Sequence, residues 1–251
     1  MILGLDVGGT QTDTVLIEGD RILAATKIPT GEDLLLTLRK ALESTLTGIE
    51  PGQIERMAFS TTLATNAIVE NRLERTGMII SAGPGIDPNC FSVGPSFHVV
   101  EGCLDHQGFE AVPLEKTSVM DAVEQIRDAG ISTIGVVGKF SVRNASHELQ
   151  IVDWVKDYFS HVAMGHTVSG GLNFPRRIFT TYLNASLHKL HKSFYDALTH
   201  ILDEKKLHTP RYLLKPDGGT IDLMRSNALP ARTAQSGPAA SVMGALALDG
   251  C

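Results

Sequence analysis

Short apolar runs and helical patterns alternate along most of the chain. Three short strands are predicted near the N-terminus, at residues 2–5, 12–17 and 22–26, and a Glu-Gly-Asp turn separates the last two. Two strands joined by a short Gly-containing connection are typical of a β-hairpin. A helix is predicted next, because leucines recur largely on one face at positions 34, 35, 38, 42 and 46. The chain is therefore predicted to open with a hairpin and to continue into a helix.

Strand and helix patterns then alternate up to the pair Gly170-Gly171, which interrupts them. Strands are predicted at residues 57–59, 78–80, 133–137 and 162–164, and helices at residues 61–72, 117–129 and 146–159. Later elements are predicted as a long helix over residues 176–202, a strand at 211–215 and a helix that begins at Ser236. This order indicates an α/β fold. We expect one domain over residues 1–170 and the start of a second α/β half over residues 171–251.

Composition narrows the class of protein. Of the 251 residues, 43% are hydrophobic, which is enough apolar material for a core and argues against disorder. A formal charge of −6 with no basic run argues against a nucleic-acid partner, and no apolar stretch reaches the roughly 18 residues of a membrane span. The start lacks the basic region of a signal peptide, and the three cysteines include no CxxC pair. We expect a cytoplasmic protein without membrane partners.

The strongest chemical signal is the segment DVGGTQTD, which begins at Asp6 between the first two predicted strands. Gly8 and Gly9 have no Cβ, so the N–H groups of this turn can approach a ligand closely. Thr10 and Thr12 add hydroxyl donors. A carboxylate at Asp6 can hold Mg²⁺ or take a proton from an attacking oxygen. Together these groups favour a phosphate with a bound metal ion, and an ordinary Gly-Gly hairpin turn is the alternative.

A second polar group follows the strand predicted at residues 57–59. Thr61, Thr62 and Thr65 lie where that strand passes into a helix, and hydroxyls at such a junction can bind an anion or a carbonyl group. Asn66 is the candidate catalytic residue here, because a primary amide both donates and accepts hydrogen bonds around a lactam or imide ring. Plain helix capping is the alternative explanation.

Two further positions are candidates for anion binding. Arg177, near the start of the long helix, carries a guanidinium that can clamp a carboxylate or a phosphate. Ser236 and Gly237 open the last predicted helix, whose free N–H groups and dipole attract anions. An ordinary polar helix start is the alternative in both cases. The nine histidines show no paired metal-ligand spacing, so no metal site is predicted among them.

The segment DVGGTQTD resembles the first phosphate loop of the actin-like ATPase superfamily, and its Thr-x-Thr-Asp ending is similar to that of the hydantoinase/oxoprolinase family. Four further segments fit that family in the same order. They are STTLATNA from Ser60, RTG from Arg75, RIFTTYLNA from Arg177 and SGPAASVMGA from Ser236. The resemblance spans nearly the whole chain and implies a ribonuclease H-like domain of the actin-like ATPase type.

The resemblance implies an ATP-dependent hydrolase of a cyclic amide, of the hydantoin or 5-oxoproline type. Members of the family phosphorylate the carbonyl oxygen of a lactam or imide, which makes the ring susceptible to water. ATP and Mg²⁺ are the implied cofactors, and Asp6 would hold Mg²⁺ or assist phosphoryl transfer. The implied nucleotide-binding residues are Gly8, Gly9, Thr10, Thr12, Ser236 and Gly237, with Asp13 ordering the loop. The expected substrate contacts are Thr61, Thr62, Thr65 and Arg177, beside the catalytic candidate Asn66.

Two departures from the family pattern leave other functions open. Gln11 stands where the family usually has Phe, and the sequence contains no second D-x-G-G-T segment, whereas actin-like enzymes have a phosphate loop on each side of the nucleotide cleft. A second hydantoinase subunit or a missing C-terminal half is therefore the expected partner. The alternatives are a truncated, inactive nucleotide-fold module that binds a partner subunit, and a small-molecule kinase of the same superfamily.

Overall fold

The computed structural model describes residues 1–249, so that Cys251 lies outside it. Contacts divide the chain into two compact units. The first unit contains residues 1–72 and those from residue 188 onward, and the second contains residues 73–187. Within the described residues, no helix combines the length and the apolar composition that crossing a bilayer requires.

Strands and helices alternate through the described residues much as the sequence pattern predicts. The strands are β1 (Ile2–Val7), β2 (Gln11–Glu18), β3 (Arg21–Pro29), β4 (Arg56–Thr61), β5 (Thr76–Ser81), β6 (Ser96–Val100), β7 (Cys103–Leu104), β8 (Glu110–Val112), β9 (Thr133–Gly138), β10 (His161–Met164), β11 (Arg211–Leu214) and β12 (Thr220–Asp222). The helices are α1 (Leu34–Thr45), α2 (Leu63–Val69), α3 (Lys116–Asp128), α4 (Ser146–Val155), α5 (Gly165–Val168), α6 (Phe174–Glu204), α7 (Leu223–Ser226) and α8 (Ser236–Asp249).

The first unit is built on a six-stranded sheet with the order β12-β11-β4-β1-β2-β3. β1, β2 and β3 form consecutive antiparallel pairs, which confirms the predicted hairpin opening. β4 lies parallel to β1, and β11 lies parallel to β4. The register aligns the ends of β1 and β4, so that the polar residues that follow both strands lie at one edge of the sheet.

One face of this sheet carries the core of the first unit. The side chain of Asp33 caps α1 by accepting a hydrogen bond from the N–H group of Leu36 at 3.0 Å, so the helix begins where its leucine pattern begins. α1 and the last part of α6 cover the face with large apolar side chains. The buried cluster includes Leu3, Leu5, Leu38, Leu42, Phe59, Phe194 and Leu198. Burial of each such side chain stabilises the unit by about 1.5–3 kcal/mol.

The buried face of β2 carries two threonines, while two of its aliphatic residues lie on the other face. Thr12, Thr14 and Leu16 face the core, while Val15 and Ile17 are only half-buried on the other face. The buried hydroxyls have partners, because Thr14 hydrogen-bonds to Thr45 of α1. The opposite face of the sheet carries a groove of about 440 Å³ between small and polar side chains of the central strands.

The second unit contains a parallel sheet with the order β10-β9-β5-β6. β5 and β9 are buried along their whole length, which confirms the buried parallel strand predicted at residues 133–137. Val123 of α3 and Ile151 of α4 belong to the cluster on one face. Phe174 and Ile178 of α6 belong to the cluster on the other.

Two local predictions differ from the structure. The helix predicted at residues 61–72 covers only Leu63–Val69, because Thr61 is still part of β4 and Asn71 adopts a left-handed φ of 53° that ends the helix. The segment from residue 211, expected to belong to a second α/β half over residues 171–251, adds β11 and β12 to the first sheet. The chain passes from one compact unit to the other after residues 72 and 187, and the domain boundary predicted at residue 170 stays a prediction.

The buried histidine of α6 gives the first unit a pH-dependent stability. His191 is 5% exposed, and its Nε2 atom lies 3.0 Å from Ser226 Oγ. Burial lowers the pKa of His191 to about 4, and nearby His188 acts in the same direction. An unfolded histidine titrates near 6.5, so between about pH 6.5 and 4 only the unfolded chain binds the extra proton. The free energy of unfolding therefore decreases as the pH is lowered through this window, by at most about 3 kcal/mol.

His191→Gln should remove this contribution. We expect the loss of unfolding free energy between pH 7 and pH 4.5, measured by urea denaturation, to be smaller in H191Q than in the wild type. His200→Gln, which changes an exposed histidine of the same helix, should lose as much as the wild type. An equal loss in H191Q and in the wild type would contradict the assignment.

Candidate active site

The turn between β1 and β2 needs glycine because other groups lie very close to it. The N–H group of Gly8 donates to the carbonyl oxygen of Gln11 at 2.9 Å, and a Cβ at position 8 would lie 2.7 Å from that oxygen. A Cβ at position 9 would lie 2.5 Å from the Nδ2 atom of Asn66. Neither glycine has a positive φ. Close approach, rather than a left-handed conformation, therefore explains both residues.

The tip of this turn is open. Gly9, Thr10 and Gln11 are exposed. Within residues 1–249, no hydrogen bond engages the N–H groups of Gly9 and Thr10. Adjacent free N–H groups at a turn can bind an anion. This arrangement is consistent with the phosphate-binding role predicted for Gly9 and Thr10, whereas the N–H group of Gly8 is already bonded to Gln11.

Thr30, a residue that the sequence reasoning missed, holds the turn from behind. Its N–H group donates to the carbonyl oxygen of Thr10, and its hydroxyl donates to the carbonyl oxygen of Gly8, both at 2.9 Å. Thr12 Oγ1 lies 2.9 Å from Thr30 Oγ1 and is fully buried. Thr12 therefore supports the turn from inside rather than facing its open side. The hairpin register, which pairs Gln11 with Pro29, is the signal that could have placed Thr30 beside Thr10.

Asp6 and Asp13 present two carboxylates on one face of the sheet. They are directly opposite each other in the β1–β2 register, and directly opposite residues share a face. Ser60 Oγ donates to Asp6 Oδ1 at 2.5 Å, which fixes one carboxylate oxygen and leaves the other without a hydrogen bond in the described residues. Asp13 Oδ1 lies 3.4 Å from Lys27 Nζ, and both side chains are about half exposed. Of the two carboxylates, Asp6 lies closer to the end of β1.

The end of β4 is connected to the start of α8 by a reciprocal pair of hydrogen bonds. Ser236 Oγ donates to the carbonyl oxygen of Thr61 at 2.9 Å and accepts from the Thr61 N–H group at 3.3 Å. Thr65 Oγ1 accepts from the N–H group of Gln235 at 2.7 Å. Thr61 and Ser236 are buried. These side chains already have protein partners, and they fix the site rather than line its open part.

The first residues of α8 lie close to Asp6. A Cβ at position 237 would lie 2.8 Å from Thr62 Cγ2 and 3.9 Å from Asp6 Oδ1. Within residues 1–249, the N–H groups of Ser236 and Gly237 donate no hydrogen bond. A helix start with free N–H groups favours an anion. The structure therefore brings together Asp6, the Gly-Gly turn and the predicted anion site of α8.

Asn66, a residue of α2, lies beside the turn between β1 and β2. Its Nδ2 atom is 3.4 Å from Thr62 Oγ1, and the same atom limits the space above Gly9. The side chain is half-buried. Asn66 is thus placed at the open turn, where its catalytic role stays a prediction.

Arg177 is hydrogen-bonded to backbone carbonyl oxygens of its own unit. It belongs to the second unit, is fully buried and donates to the carbonyl oxygens of Gly171 at 2.6 Å and Gly138 at 2.9 Å. It also donates to the carbonyl oxygen of Lys139. Burial lowers the pKa of Arg177, and the charge of Glu148 opposes that effect. These contacts are those of a structural residue, and they give no support to the predicted contact between Arg177 and substrate.

Solved structures that share this fold are longer than the chain. A nucleotide-free structure of acetone carboxylase matches 98% of the chain with a TM-score of 0.86 at 20% identity, and the match covers 40% of that protein's chain. The ATP-dependent caprolactamase of Pseudomonas jessenii matches 98% of the chain with a TM-score of 0.73 at 21% identity, again over 40% of its own chain. These matches confirm the predicted α/β fold of the actin-like ATPase class.

Sequence relatives give the same picture. Caprolactamase subunit alpha from Pseudomonas jessenii is 26% identical over 95% of this chain and 38% of its own length. The acetophenone carboxylase gamma subunit from Aromatoleum aromaticum is 24% identical over 96% of this chain and 38% of its own length. The chain therefore spans about two fifths of the length of the relatives that it matches, and both relatives are subunits of larger enzymes.

Two family models match consecutive parts of the sequence. The model described as the hydantoinase/oxoprolinase N-terminal region matches residues 2–159, and the model described as hydantoinase/oxoprolinase matches residues 177–250. The first match alone covers well over half of the chain and includes both the Gly-Gly turn and Asn66. We conclude that this chain belongs to the hydantoinase/oxoprolinase family.

Proposed function

We propose that this chain forms the ATP-binding part of an enzyme that activates a cyclic amide by phosphorylating its carbonyl oxygen. The chain is related to an ATP-dependent caprolactamase, which acts on a cyclic amide, and to carboxylases of acetone and acetophenone. These substrates share a carbonyl group. The relatives support ATP-dependent activation of a cyclic amide or a related substrate. We propose that the substrate is a cyclic amide.

The observation that carries the proposal is the open turn after β1 with Asp6 beside it. Free N–H groups at Gly9 and Thr10, together with those at the start of α8, are suited to bind phosphate oxygens. Catalysis of phosphoryl transfer depends mainly on positioning and charge stabilisation. A preorganised set of backbone donors supplies both, because it needs no rearrangement when charge develops on the phosphate.

The donor set at Asp6 fits Mg²⁺ that is bound together with a nucleotide. Within residues 1–249, no group of three or more His, Cys, Asp or Glu side chains is placed to hold a metal ion. Mg²⁺ at nucleotide sites is usually held by one or two carboxylates, several waters and the phosphate oxygens. Asp6 supplies such a carboxylate, and Ser60 orients it. Bound Mg²⁺ would neutralise charge on the phosphates.

The chemistry explains why an amide needs ATP. The nitrogen of an amide donates electrons into the carbonyl group, so the carbon resists attack by water. A phosphate on the carbonyl oxygen removes this resonance and provides a leaving group. We propose that the amide of Asn66, whose Nδ2 atom lies close to Gly9, hydrogen-bonds with the ring of the substrate.

We also propose that activity requires a complementary part, either a second hydantoinase subunit or the region in which the longer relatives exceed this chain. The chain covers 38–40% of those relatives, and in the described residues only one D-x-G-G-T turn is present. An inactive module that only binds a partner is the second candidate. ATP·Mg²⁺ binding to the chain, or to its complex with the complementary part, separates the two.

Asp6→Asn should remove the dependence of ATP binding on Mg²⁺. The substitution keeps the shape and the hydrogen bond from Ser60 but removes the charge that faces the metal ion. Isothermal titration with ATP should show binding about tenfold weaker or more in D6N when Mg²⁺ is present. EDTA should weaken binding in the wild type but hardly change it in D6N. Asp20→Asn, in the exposed β2–β3 turn, is the control; equal Mg²⁺ dependence in D6N would contradict the role.

Gly9→Ala should displace Asn66 from the turn. The added Cβ would lie 2.5 Å from Asn66 Nδ2, and we expect ATP·Mg²⁺ binding to weaken about tenfold. The double variant G9A/N66A removes the colliding amide and should regain most of the affinity. Gly52→Ala, where nothing lies within 4 Å of the added Cβ, should bind as the wild type does. If the double variant does not regain ATP·Mg²⁺ affinity, contact with Asn66 is not the reason why position 9 requires glycine.

If the carbonyl oxygen is phosphorylated, we expect that oxygen to end in inorganic phosphate rather than in the opened product. In the enzyme that contains this chain, a first water would add to the phosphorylated carbon, and the ring C–N bond would break with the nitrogen leaving as a protonated amine, which gives an acyl phosphate. A second water would then attack the same carbon and expel phosphate with the original carbonyl oxygen. A lactam labelled with ¹⁸O at the carbonyl should therefore release its label as inorganic phosphate. Mass spectrometry of the phosphate measures the label. Label retained in the opened product would contradict the mechanism. A phosphorylated product that accumulates with its ring closed would instead identify a small-molecule kinase.

A further inference from the structure

Thr30, which directly follows β3, is hydrogen-bonded to the turn between β1 and β2. No pattern in the sequence indicates these contacts. Its backbone N–H group donates to the carbonyl oxygen of Thr10. Its hydroxyl donates to the carbonyl oxygen of Gly8 and is hydrogen-bonded to the hydroxyl of Thr12. We propose that Thr30 is a positioning residue, which turns the N–H groups of this turn toward the phosphates of the nucleotide. The inference rests on the proposed function and adds to it a residue that contacts neither nucleotide nor substrate.

The direction of the N–H groups follows from the planarity of the peptide bond. In a trans peptide, the C=O and N–H groups of one plane point in opposite directions. The carbonyl oxygen of Gly8 points to the hydroxyl of Thr30, so the N–H group of Gly9, in the same plane, points away from Thr30. The carbonyl oxygen of Thr10 is held by the Thr30 N–H group, which fixes the Thr10–Gln11 peptide as well and directs the N–H group of Gln11 toward the β1 side of the hairpin.

The hydroxyl contacts form a chain with one direction. The hydroxyl of Thr30 has a single proton, and it is donated to the carbonyl oxygen of Gly8. The hydroxyl of Thr12, 2.9 Å away, must therefore be the donor to Thr30. Thr12 is fully buried, so water does not compete for this bond. The buried hydroxyl fixes the orientation of Thr30, and Thr30 fixes the Gly8–Gly9 peptide.

The same arrangement removes two groups that would repel a nucleotide. Carbonyl oxygens carry partial negative charge, and two of them facing the phosphates would oppose binding. Thr30 engages the carbonyl oxygens of both Gly8 and Thr10 on the side away from the open tip. A preorganised site of this kind loses little free energy to rearrangement when the ligand binds.

A pair of substitutions separates positioning from packing. Thr30→Val keeps the shape and removes the hydroxyl, while Thr30→Ser keeps the hydroxyl. In isothermal titration with ATP·Mg²⁺, we expect T30V to bind about 10- to 100-fold more weakly than the wild type and T30S to stay within about threefold of it. Thr47→Val removes a hydroxyl that donates to the carbonyl oxygen of Glu43, remote from the turn, and should not change the affinity. Equal affinities of T30V and the wild type would overturn the inference.

A measurement without nucleotide keeps this test independent of the proposed function. In ¹H–¹⁵N spectra, the amide resonances of Gly9 and Gln11 should shift in T30V, return close to their wild-type positions in T30S and stay unchanged in T47V. Unshifted resonances in T30V would overturn the role of Thr30 whatever the chain binds. If the wild type and its complex with the complementary part bind no ATP, the proposed function fails, and the spectra alone decide whether Thr30 orients the turn.

Discussion

The candidate site depends on one constraint: the backbone of the first turn must satisfy its carbonyl groups on one side and leave N–H groups free on the other. An N–H group without a partner is costly when it is buried, so the free groups at Gly9 and Thr10 must face water or a ligand. The buried side of the turn is satisfied by Thr30 and by the Gly8–Gln11 hydrogen bond. Glycine at positions 8 and 9 leaves room for the carbonyl oxygen of Gln11 and for the side chain of Asn66, which lie close to the turn.

The rest of the site is assembled around that turn from distant parts of the chain. Asp6 reaches it from β1, Asn66 from α2 and Gly237 from α8. The hydroxyl of Ser236 joins α8 to the end of β4, because it both donates to and accepts from the backbone of Thr61. The acid, the helix start and the amide are therefore hydrogen-bonded to three consecutive residues, which are Ser60, Thr61 and Thr62 in that order.

Sequence reasoning reached the parts of this site that depend on local chemistry. The turn was evident because glycines and an acid follow a strand, and the alternating pattern was enough to predict the α/β fold. It did not find Thr30, because its importance depends on hairpin register, nor the burial of Arg177, because a guanidinium gives the same signal whether it binds a ligand or backbone carbonyls. The pairing of β11 with β4 was also missed, since residues distant in sequence leave no local pattern.

That pairing has a consequence for biosynthesis. β4 is made early, but the neighbour that covers its outer edge, β11, is separated from it by the whole second unit. A nascent chain on the ribosome therefore exposes an unpaired strand edge until translation has passed residue 214. Non-local strand pairs close slowly, and uncovered edges can pair with other chains. The order of the strands along the chain therefore leaves the edge of β4 open to such pairing during synthesis.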